Sequence, residues 1–393
     1  MVKISSFFPR NRELSRKIAD QLVAASNSYL ILIVPLLQGN FRLLGELSTL
    51  VGLYVFWLGV IRIYLINEII RLGESGNTFR HYSVRGFKAG ITSVPILLCG
   101  GIFHTSKWTL IIVVVLIFAG IQEEILRQYF ISHLESIKAL LVDAVWSVGM
   151  IIGICSVRVR SPGVIEEYLF IISSSCVIAT IFGLVLVNKS NFLKSTRTSI
   201  KPISPVAAVI PISMALHTFL LNMTLTIFHH QLELGLLRAL QFFFLPAIFL
   251  INVQANYFKF PSGRDQQSEK NSETPHFRLI FLLSVLASFI ISCVYLVDSG
   301  TLSLGNLSLG ILVSCSVLIN FSINLKTLSK LHANIVRQIV ILRLIWISLA
   351  AVLMILLSSK FLLLIFLLFV LDLVLNSCLG RVRRFKVYAA RND

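Results

Sequence analysis

The sequence predicts an all-α polytopic membrane protein with about twelve transmembrane helices, arranged as two six-helix lobes around a central cavity. Three observations lead to this prediction. The 393-residue chain is 56% hydrophobic and only 13% charged, and its mean hydropathy is +0.85. Its apolar residues gather into stretches of about 20, the length that a helix needs to cross a bilayer. Its Lys and Arg residues alternate between the two sides that these stretches define.

The apolar stretches end at charged or turn residues, which sets their bounds to within a few positions. Prolines inside several stretches, Pro35, Pro95, Pro211 and Pro246 among them, are expected to bend the helices. The predicted spans, in chain order, are 20–38, 47–66, 88–104, 108–127, 139–157, 167–187, 204–228, 234–257, 279–297, 302–325, 340–358 and 361–379.

The charge distribution gives an orientation. The net charge is +17, from 35 Lys and Arg against 18 Asp and Glu. With the N-terminus inside, 28 of the 35 basic residues fall on the cytoplasmic side, as the positive-inside rule requires. We therefore predict a multi-pass inner-membrane protein with both termini in the cytoplasm. The cations are scattered between apolar spans and form no stripe that follows a phosphate backbone, so nucleic-acid binding is not expected.

Two lobes are predicted from the position of a polar segment near the chain midpoint. Residues 188–203 separate six spans from six and are read as a cytoplasmic linker. The N-terminal lobe then comprises residues 1–187, and the C-terminal lobe comprises residues 204–393 with a basic cytoplasmic tail.

Catalysis and metal binding are not predicted. The sequence contains no nucleophile elbow, HExxH, P-loop or dinucleotide-binding pattern. The six cysteines lie singly in apolar segments, without metal-ligand spacing. Loops are too short to hold a soluble catalytic fold, so neither an enzyme nor a cofactor is expected.

Ionisable residues at membrane depth are the main candidates for function, because each costs about 2.5–3.5 kcal/mol on insertion scales unless it faces a polar interior. Arg62 either lines a cavity that receives an anion or extends to the inner headgroups. Glu123 and Arg127 are spaced i,i+4 and are predicted to pair, either as an inner gate or to close the helix end. Asp143 can pair with Arg127 or Lys138 across a short turn.

Four further residues are candidates in the second half of the chain. His217 and Asn222, deep in the seventh span, either bind a sugar hydroxyl or carry a proton, or serve helix packing. Arg238 either meets an anionic headgroup or marks the interface. Asp372 either couples transport to a proton or sodium ion, or pairs with a neighbouring cation. In the fifth span, Gly149 and Gly153 form a GxxxG pattern that predicts close helix packing.

Two runs of sequence resemble bacterial polysaccharide exporters of the multidrug/oligosaccharidyl-lipid/polysaccharide exporter superfamily. The first run, IQEEILRQYF at 121–130 followed by KALLVDAVW at 138–146, resembles the junction of the fourth and fifth helices in that group. The second run, LGLLRALQFFFLP at 234–246, is similar to the Gly-x-x-Arg-x-x-Gln-x-x-x-x-Pro pattern at the start of its eighth helix.

The resemblance implies a flippase that moves a polyprenyl-pyrophosphate-linked oligosaccharide across the inner membrane by alternating access, for surface polysaccharide (O-antigen type) biosynthesis. By position, Arg62, Arg127 and Arg238 would be the cations that meet pyrophosphate, to which the guanidinium fork is suited. The implied partners are the lipid-linked oligosaccharide, membrane lipids, and a glycan polymerase or glycosyltransferases of the same pathway. A cation-coupled small-molecule exporter of the same architecture is the first alternative, and a membrane chemoreceptor or channel is the second.

Overall fold

The structure is a computed structural model that describes residues 35–61, 79–99, 106–133, 135–158, 165–187, 230–247 and 275–298. It also describes scattered residues from 23 to 33, at 65 and 69, from 222 to 227, from 300 to 318 and from 345 to 367. In these parts of the chain the regular secondary structure is helical, without strands. The chain forms two compact units, residues 1–227 and 228–393.

Five α-helices and one 3₁₀ helix are described in the first unit. They are α1 (Phe41–Ile61), α2 (Phe79–Ile91), the 3₁₀ helix η1 (Val94–Cys99), α3 (Lys107–Ser132), α4 (Ser136–Arg158) and α5 (Ile165–Leu186). The second unit contributes α6 (Gln231–Phe243) and α7 (Pro275–Asp298).

Five of these helices contain a segment long and apolar enough to cross a membrane. The segments lie in α1, α3, α4, α5 and α7, and the longest, in α3, has 26 residues. This confirms the prediction of an all-α, membrane-embedded protein. The remaining predicted spans, the total of twelve, the two lobes and the orientation stay predictions. The predicted linker 188–203 lies outside the described residues.

The predicted third span, 88–104, is not one continuous helix. Helix α2 begins at Phe79 and ends at Ile91, and the chain continues as the 3₁₀ helix η1. The Ser93 hydroxyl donates to the Gly90 carbonyl at 2.7 Å, and the Thr92 hydroxyl donates to the Ala89 carbonyl. These side chains satisfy carbonyls at the helix end, and Pro95, which lacks an N–H, cannot extend the α-helical hydrogen bonding.

Helix α3 is the centre of the first unit. In its most apolar window 72% of residues are buried, against 28% in α4. The Thr180 hydroxyl of α5 donates to the Ala119 carbonyl of α3 at 3.1 Å. A helix that is apolar on all sides is one that other helices surround. The core therefore lies along α3, and charged residues on its inward turns must find partners inside the protein.

Helices α4 and α5 pack closely at the GxxxG pattern. A Cβ atom added at Gly149 would lie 3.0 Å from the Ser175 side chain, and one added at Gly153 would meet Ile171. Larger residues would hold the two helices apart, since only glycine leaves this space. The close packing predicted from the pattern is thus confirmed.

In the second unit, α6 ends where proline interrupts it. The Phe244 amide donates to the Gln241 carbonyl at 3.0 Å, which tightens the last turn two residues before Pro246. Helix α7 exposes an apolar face that includes Leu282, Leu286 and Val294. Such a face is what a helix presents to lipid.

Candidate functional site

Two groups of charged residues lie along α3, one buried between α3 and α4 and one exposed on α2. The buried group contains Glu123, Glu124 and Arg127 of α3 and Asp143 of α4, with exposed fractions between 1% and 5%. We call it the α3–α4 charge cluster. Because α3 and α4 are joined by a turn of three residues, positions near the end of one helix and the start of the other are held together.

Arg127 connects the carboxyl groups of α3 and α4 in this cluster. Its Nη1 donates to Glu124 Oε2 at 3.3 Å, and its Nε lies 3.1 Å from Asp143 Oδ2. Gln128 Nε2 also donates to Glu124 Oε1 at 3.2 Å. The predicted pairing of Asp143 with Arg127 is therefore confirmed. Lys138, the other predicted partner of Asp143, instead pairs with Glu135 at 2.9 Å.

The structure pairs Arg127 with Glu124 at i,i+3, a residue for which the sequence predicted no role. Glu123, the predicted i,i+4 partner, is buried in the same helical turn. The guanidinium thus contacts the carboxyl groups of Glu124 and Asp143. A site built to bind an anion needs cationic groups directed at the ligand, whereas this guanidinium is directed at carboxylates of its own chain.

A small polar network extends the cluster across α4. The Ser147 hydroxyl donates to Asn27 Oδ1 at 2.6 Å, and Asn27 Nδ2 lies 3.5 Å from the Asp143 carbonyl oxygen. Asn27 is itself only 3% exposed. Polar side chains within apolar helices are stable when they bond to one another in this way.

At the other end of α3, hydroxyl groups tie it to α5. The Ser106 and Thr109 hydroxyls donate to Glu166 Oε1 at 2.8 and 3.0 Å. Ser106 is also the N-cap of α3 and accepts from the Thr109 amide. The central helix is thus tied near its start to α5 and near its end to α4.

The exposed group lies on α2, which packs antiparallel to α3. The Phe79 ring contacts Tyr129 with centroids 5.5 Å apart, and Phe87 contacts Phe118 at 5.3 Å. Between them, the Ser83 hydroxyl donates to Gln122 Oε1 at 2.8 Å. Residues later in α2 contact residues earlier in α3, which is the order expected for antiparallel helices. The contact is close because an added Cβ at Gly86 would clash with Ile125.

The remaining surface of α2 carries two parallel stripes, one of which borders the contact with α3 through Phe87. His81, Arg85 and Lys88 recur at i, i+4 and i+7 and form what we call the basic stripe. Val84, Phe87 and Ile91 recur at i, i+3 and i+7, are 47%, 56% and 51% exposed, and form the apolar stripe. Helix α2 contains no Asp or Glu. Its fourth basic residue, Arg80, stands at the first turn, in line with the apolar stripe.

The basic stripe extends to the middle of α3. Phe118, which contacts Phe87 and faces Gly90, lies 14 residues before the end of α3. At about 1.5 Å per residue, Lys88 therefore lies about 20 Å along α3 from its C-terminal end. Arg80, Arg85 and Lys88 are among the 28 basic residues that the sequence places on the cytoplasmic side, with Lys88 at the first position of the predicted third span. The i, i+4, i+7 spacing of His81, Arg85 and Lys88 is the signal that could have placed this segment on a helix.

Asn222 lies in a tight contact with α1. Its Nδ2 donates to the Ser48 carbonyl at 3.3 Å, beside Gly52, where an added Cβ would lie 2.8 Å from the same nitrogen. One turn on, the Thr226 and Thr49 hydroxyls are 2.7 Å apart. Asn222 is fully buried. The contacts described here are helix-packing contacts, and a part for Asn222 in a substrate site stays a prediction.

Arg238 lies on α6 in the second unit. Its Nη1 donates to Gln241 Oε1 at 2.6 Å. The Arg and Gln of the Gly-x-x-Arg-x-x-Gln run thus bond to each other one turn apart. The other predicted residues, Arg62, His217 and Asp372, lie outside the described residues.

Metal-binding geometry is absent from the described parts of the chain, where His, Cys, Asp and Glu side chains form no group of three that could hold an ion. The described residues thus define a class of protein, an all-α membrane-embedded protein with paired charges in its core and with cations on an exposed helix. Comparison of the chain with protein families, with curated proteins and with solved structures finds no match.

Proposed function

We propose that the chain is a membrane transporter of the flippase kind, which moves a polyprenyl-pyrophosphate-linked oligosaccharide across the cytoplasmic membrane by alternating access. The observation that carries the proposal is the basic stripe of α2, whose Lys88 is exposed beside the middle of an apolar helix. Cations at membrane depth are costly against lipid, so they face water-filled paths or ligands. A path lined by cations suits an anionic substrate.

The discontinuity after α2 supports transport rather than a static bundle. Transporters place substrate sites near the bilayer midplane, at helices that are interrupted there. Helix α2 ends at Ile91, close to the middle of α3, and continues as a 3₁₀ helix. The resemblance of the runs at 121–146 and 234–246 to polysaccharide exporters supports the same class and names the substrate.

The physical problem that such a carrier solves is desolvation. Sugars and pyrophosphate cannot enter hydrocarbon without losing their water, whereas a prenyl chain is stable there. The carrier must offer a polar path for the head and leave the chain in lipid. In this proposal, both termini are cytoplasmic, and the C-terminal end of α3 and the start of α2 lie on the cytoplasmic side, as the positive-inside rule favours.

The test is to delete the gene in its native host and to extract polyprenyl-linked glycans, assaying which membrane face they occupy. Accumulation of a lipid-linked oligosaccharide on the cytoplasmic face, with loss of surface polysaccharide, is the expected result. Unchanged lipid-linked glycan and unchanged surface polymer would contradict the flippase proposal.

A cation-coupled exporter of the same architecture is the second candidate, and one observation favours it. The α3–α4 charge cluster buries the carboxyl groups of Glu123, Glu124 and Asp143 within two candidate membrane spans. Intramembrane acids of this kind serve as proton relays in pumps and transporters. If the deletion strain becomes sensitive to toxic compounds and its glycan pools are normal, this candidate replaces the flippase.

A further inference from the structure

We propose that Trp108 and Lys107 anchor the start of α3 in the phosphate and glycerol region of the membrane, and that the adjacent face of α3 contacts lipid chains. The partner is a phospholipid layer, and the inference holds whatever the chain transports. The surface lies at the end of α3 opposite to the α3–α4 charge cluster. It consists of Lys107 and of three residues that we call the Trp108 stripe, namely Trp108, Ile111 and Val115.

The Trp108 stripe follows one face of α3. Its members recur at i, i+3 and i+7 and are 73%, 39% and 43% exposed. The residues between the first two, Thr109 and Leu110, are buried. Lys107 is also exposed and lies beside the stripe at the first position of the helix. Because α3 is otherwise the core helix of the first unit, an exposed apolar face at its start is an exception that needs a partner.

The stripe is exposed because α2 ends before it reaches this part of α3. The same face of α3 continues, at further steps of three and four residues, through Phe118 and Gln122. There α2 covers it, since Phe87 contacts Phe118 with ring centroids 5.3 Å apart and the Ser83 hydroxyl donates to Gln122 at 2.8 Å. Helix α2 ends at Ile91. Protein therefore covers this face of α3 in its C-terminal half, and the face is open in the N-terminal half.

The order of the side chains along α3 matches the polarity of one membrane leaflet. Lysine comes first, tryptophan second, and the aliphatic residues of the stripe follow. An ammonium group suits lipid phosphate, an indole ring suits the boundary between headgroups and chains, and aliphatic groups suit hydrocarbon. In the described part of the chain Lys107 makes no ion pair. Its charge is therefore available to a phosphate.

The length of α3 agrees with this placement. Its candidate span, Lys107–Ser132, has 26 residues, which is about 39 Å at 1.5 Å per residue, whereas the hydrocarbon core is about 30 Å thick. The start of α3 can therefore reach the headgroups while the rest of the helix crosses the core. Phe118, beside the end of α2, then lies about 15 Å from Trp108, near the midplane, and Arg127 lies about 28 Å from Trp108, near the opposite face.

The experiment is fluorescence quenching of the full chain in phosphatidylcholine vesicles that contain brominated phospholipid. The chain has four tryptophans, Trp57, Trp108, Trp146 and Trp346, and replacement of the other three by Phe leaves Trp108 as the emitter. We expect bromine near the headgroup end of the acyl chain to quench more strongly than bromine near its methyl end, because the indole lies at the interface. A chain that keeps only Trp146, which is 6% exposed, is the matched control and should be quenched less at either bromine position.

Substitutions at Lys107 test the charge in the chain that keeps only Trp108. Lys107→Leu extends the apolar end of α3 and is expected to move Trp108 deeper, which shifts quenching towards the bromine near the methyl end. Lys107→Arg keeps the charge and should leave the ratio of shallow to deep quenching unchanged. Lys138→Ala, which removes a lysine of α4 beyond the opposite end of α3, is the control. If the triple substitution prevents folding, the difference in quenching between wild type and Trp108→Phe gives the same measure.

Four results would each contradict the proposal. Quenching of Trp108 no stronger than that of Trp146 would mean that a second copy or another protein segment covers the stripe. Stronger quenching by bromine near the methyl end would place the indole inside the hydrocarbon core. Quenching by aqueous iodide without quenching by brominated lipid would place it in water. An unchanged ratio in Lys107→Leu would overturn the anchoring role of the lysine.

Discussion

The α3–α4 charge cluster and the basic stripe of α2 both lie beside the C-terminal half of α3, yet their charges are used differently. In the cluster, the Arg127 guanidinium contacts two carboxylates and is only 5% exposed. In the stripe, Lys88 is exposed on a helix without any acidic residue. An arginine in a membrane span is therefore no indicator of a substrate site by itself. Burial and two carboxylate partners give Arg127 a structural role, whereas Lys88 is left exposed to its surroundings.

The largest expected effect that separates the two regions is that of Arg127→Ala. Removal of the guanidinium leaves the carboxyl groups of Glu124 and Asp143 buried without their cation, which costs about 3–5 kcal/mol of unfolding free energy. Denaturant unfolding of the purified protein in detergent measures this loss of unfolding free energy. Arg42→Ala, which breaks the exposed pair with Glu46, is the control, and equal stability of the two variants would contradict the structural role of Arg127.

Gly86→Val is expected to have the next largest effect. Its side chain would clash with Ile125 and Gln122 and so push α2 away from α3, at a cost of about 1–3 kcal/mol. Because α2 carries the basic stripe, transport should fall together with stability. Unfolding and glycan export are measured in parallel, with Gly310→Ala as the control, since nothing lies closer than 3.7 Å to a Cβ there. A Gly86→Val chain of wild-type stability would refute the described packing of α2.

A smaller effect is expected for Asn222→Ala. The substitution removes the amide that donates to the Ser48 carbonyl and leaves a gap beside Gly52, which costs about 1–3 kcal/mol. Because the described contacts of Asn222 are packing contacts, glycan export should fall only as far as the amount of folded protein falls. Thermal unfolding of the purified protein and glycan export in the host are the two measurements. Unchanged stability with lost export would show that Asn222 belongs to a substrate site.

The smallest effect is expected for Lys138→Ala. The Lys138–Glu135 pair is partly exposed, with side chains 27% and 29% accessible. Such pairs contribute about 0–1 kcal/mol. The variant should unfold at nearly the same denaturant concentration as wild type, although Lys138 lies in the first turn of α4, the helix that carries Asp143. A loss as large as that of Arg127→Ala would mean that Lys138, too, neutralises the buried carboxyl groups.

The sequence predicts the fold class because hydrophobic length is a local property. The apolar runs at 108–127, 139–157 and 167–187 correspond to α3, α4 and α5, with ends displaced by a few residues. The prediction of one continuous helix over 88–104 was wrong. The hydroxyl groups of Thr92 and Ser93 and the ring of Pro95 end the helix within an apolar run. Hydropathy averages over such local interruptions and does not detect them.

The site was predicted only in part, because sequence spacing does not fix the direction in which each side chain points. The pairing of Asp143 with Arg127 followed from a short turn, which fixes neighbours irrespective of the rest of the fold. The identity of Glu124 as the carboxylate that contacts Arg127 depends on how α3 is rotated against α4 and α5, which spacing alone leaves open. Likewise, the basic residues of α2 were used only to predict the orientation of the chain. Their position along α3 depends on the antiparallel contact between the two helices. That contact joins residues about 40 positions apart, so the sequence pattern does not reveal it.

The ion pair between α3 and α4 also bears on how the chain enters the membrane during synthesis. Arg127 and Asp143 are separated by only 15 intervening residues and face each other across a three-residue turn. In a helical hairpin that leaves the translocon with this pair already formed, Arg127 and Asp143 neutralise each other, which lowers the cost of inserting both charges. The α3–α4 hairpin can therefore insert as a single unit, before the second half of the protein has been translated.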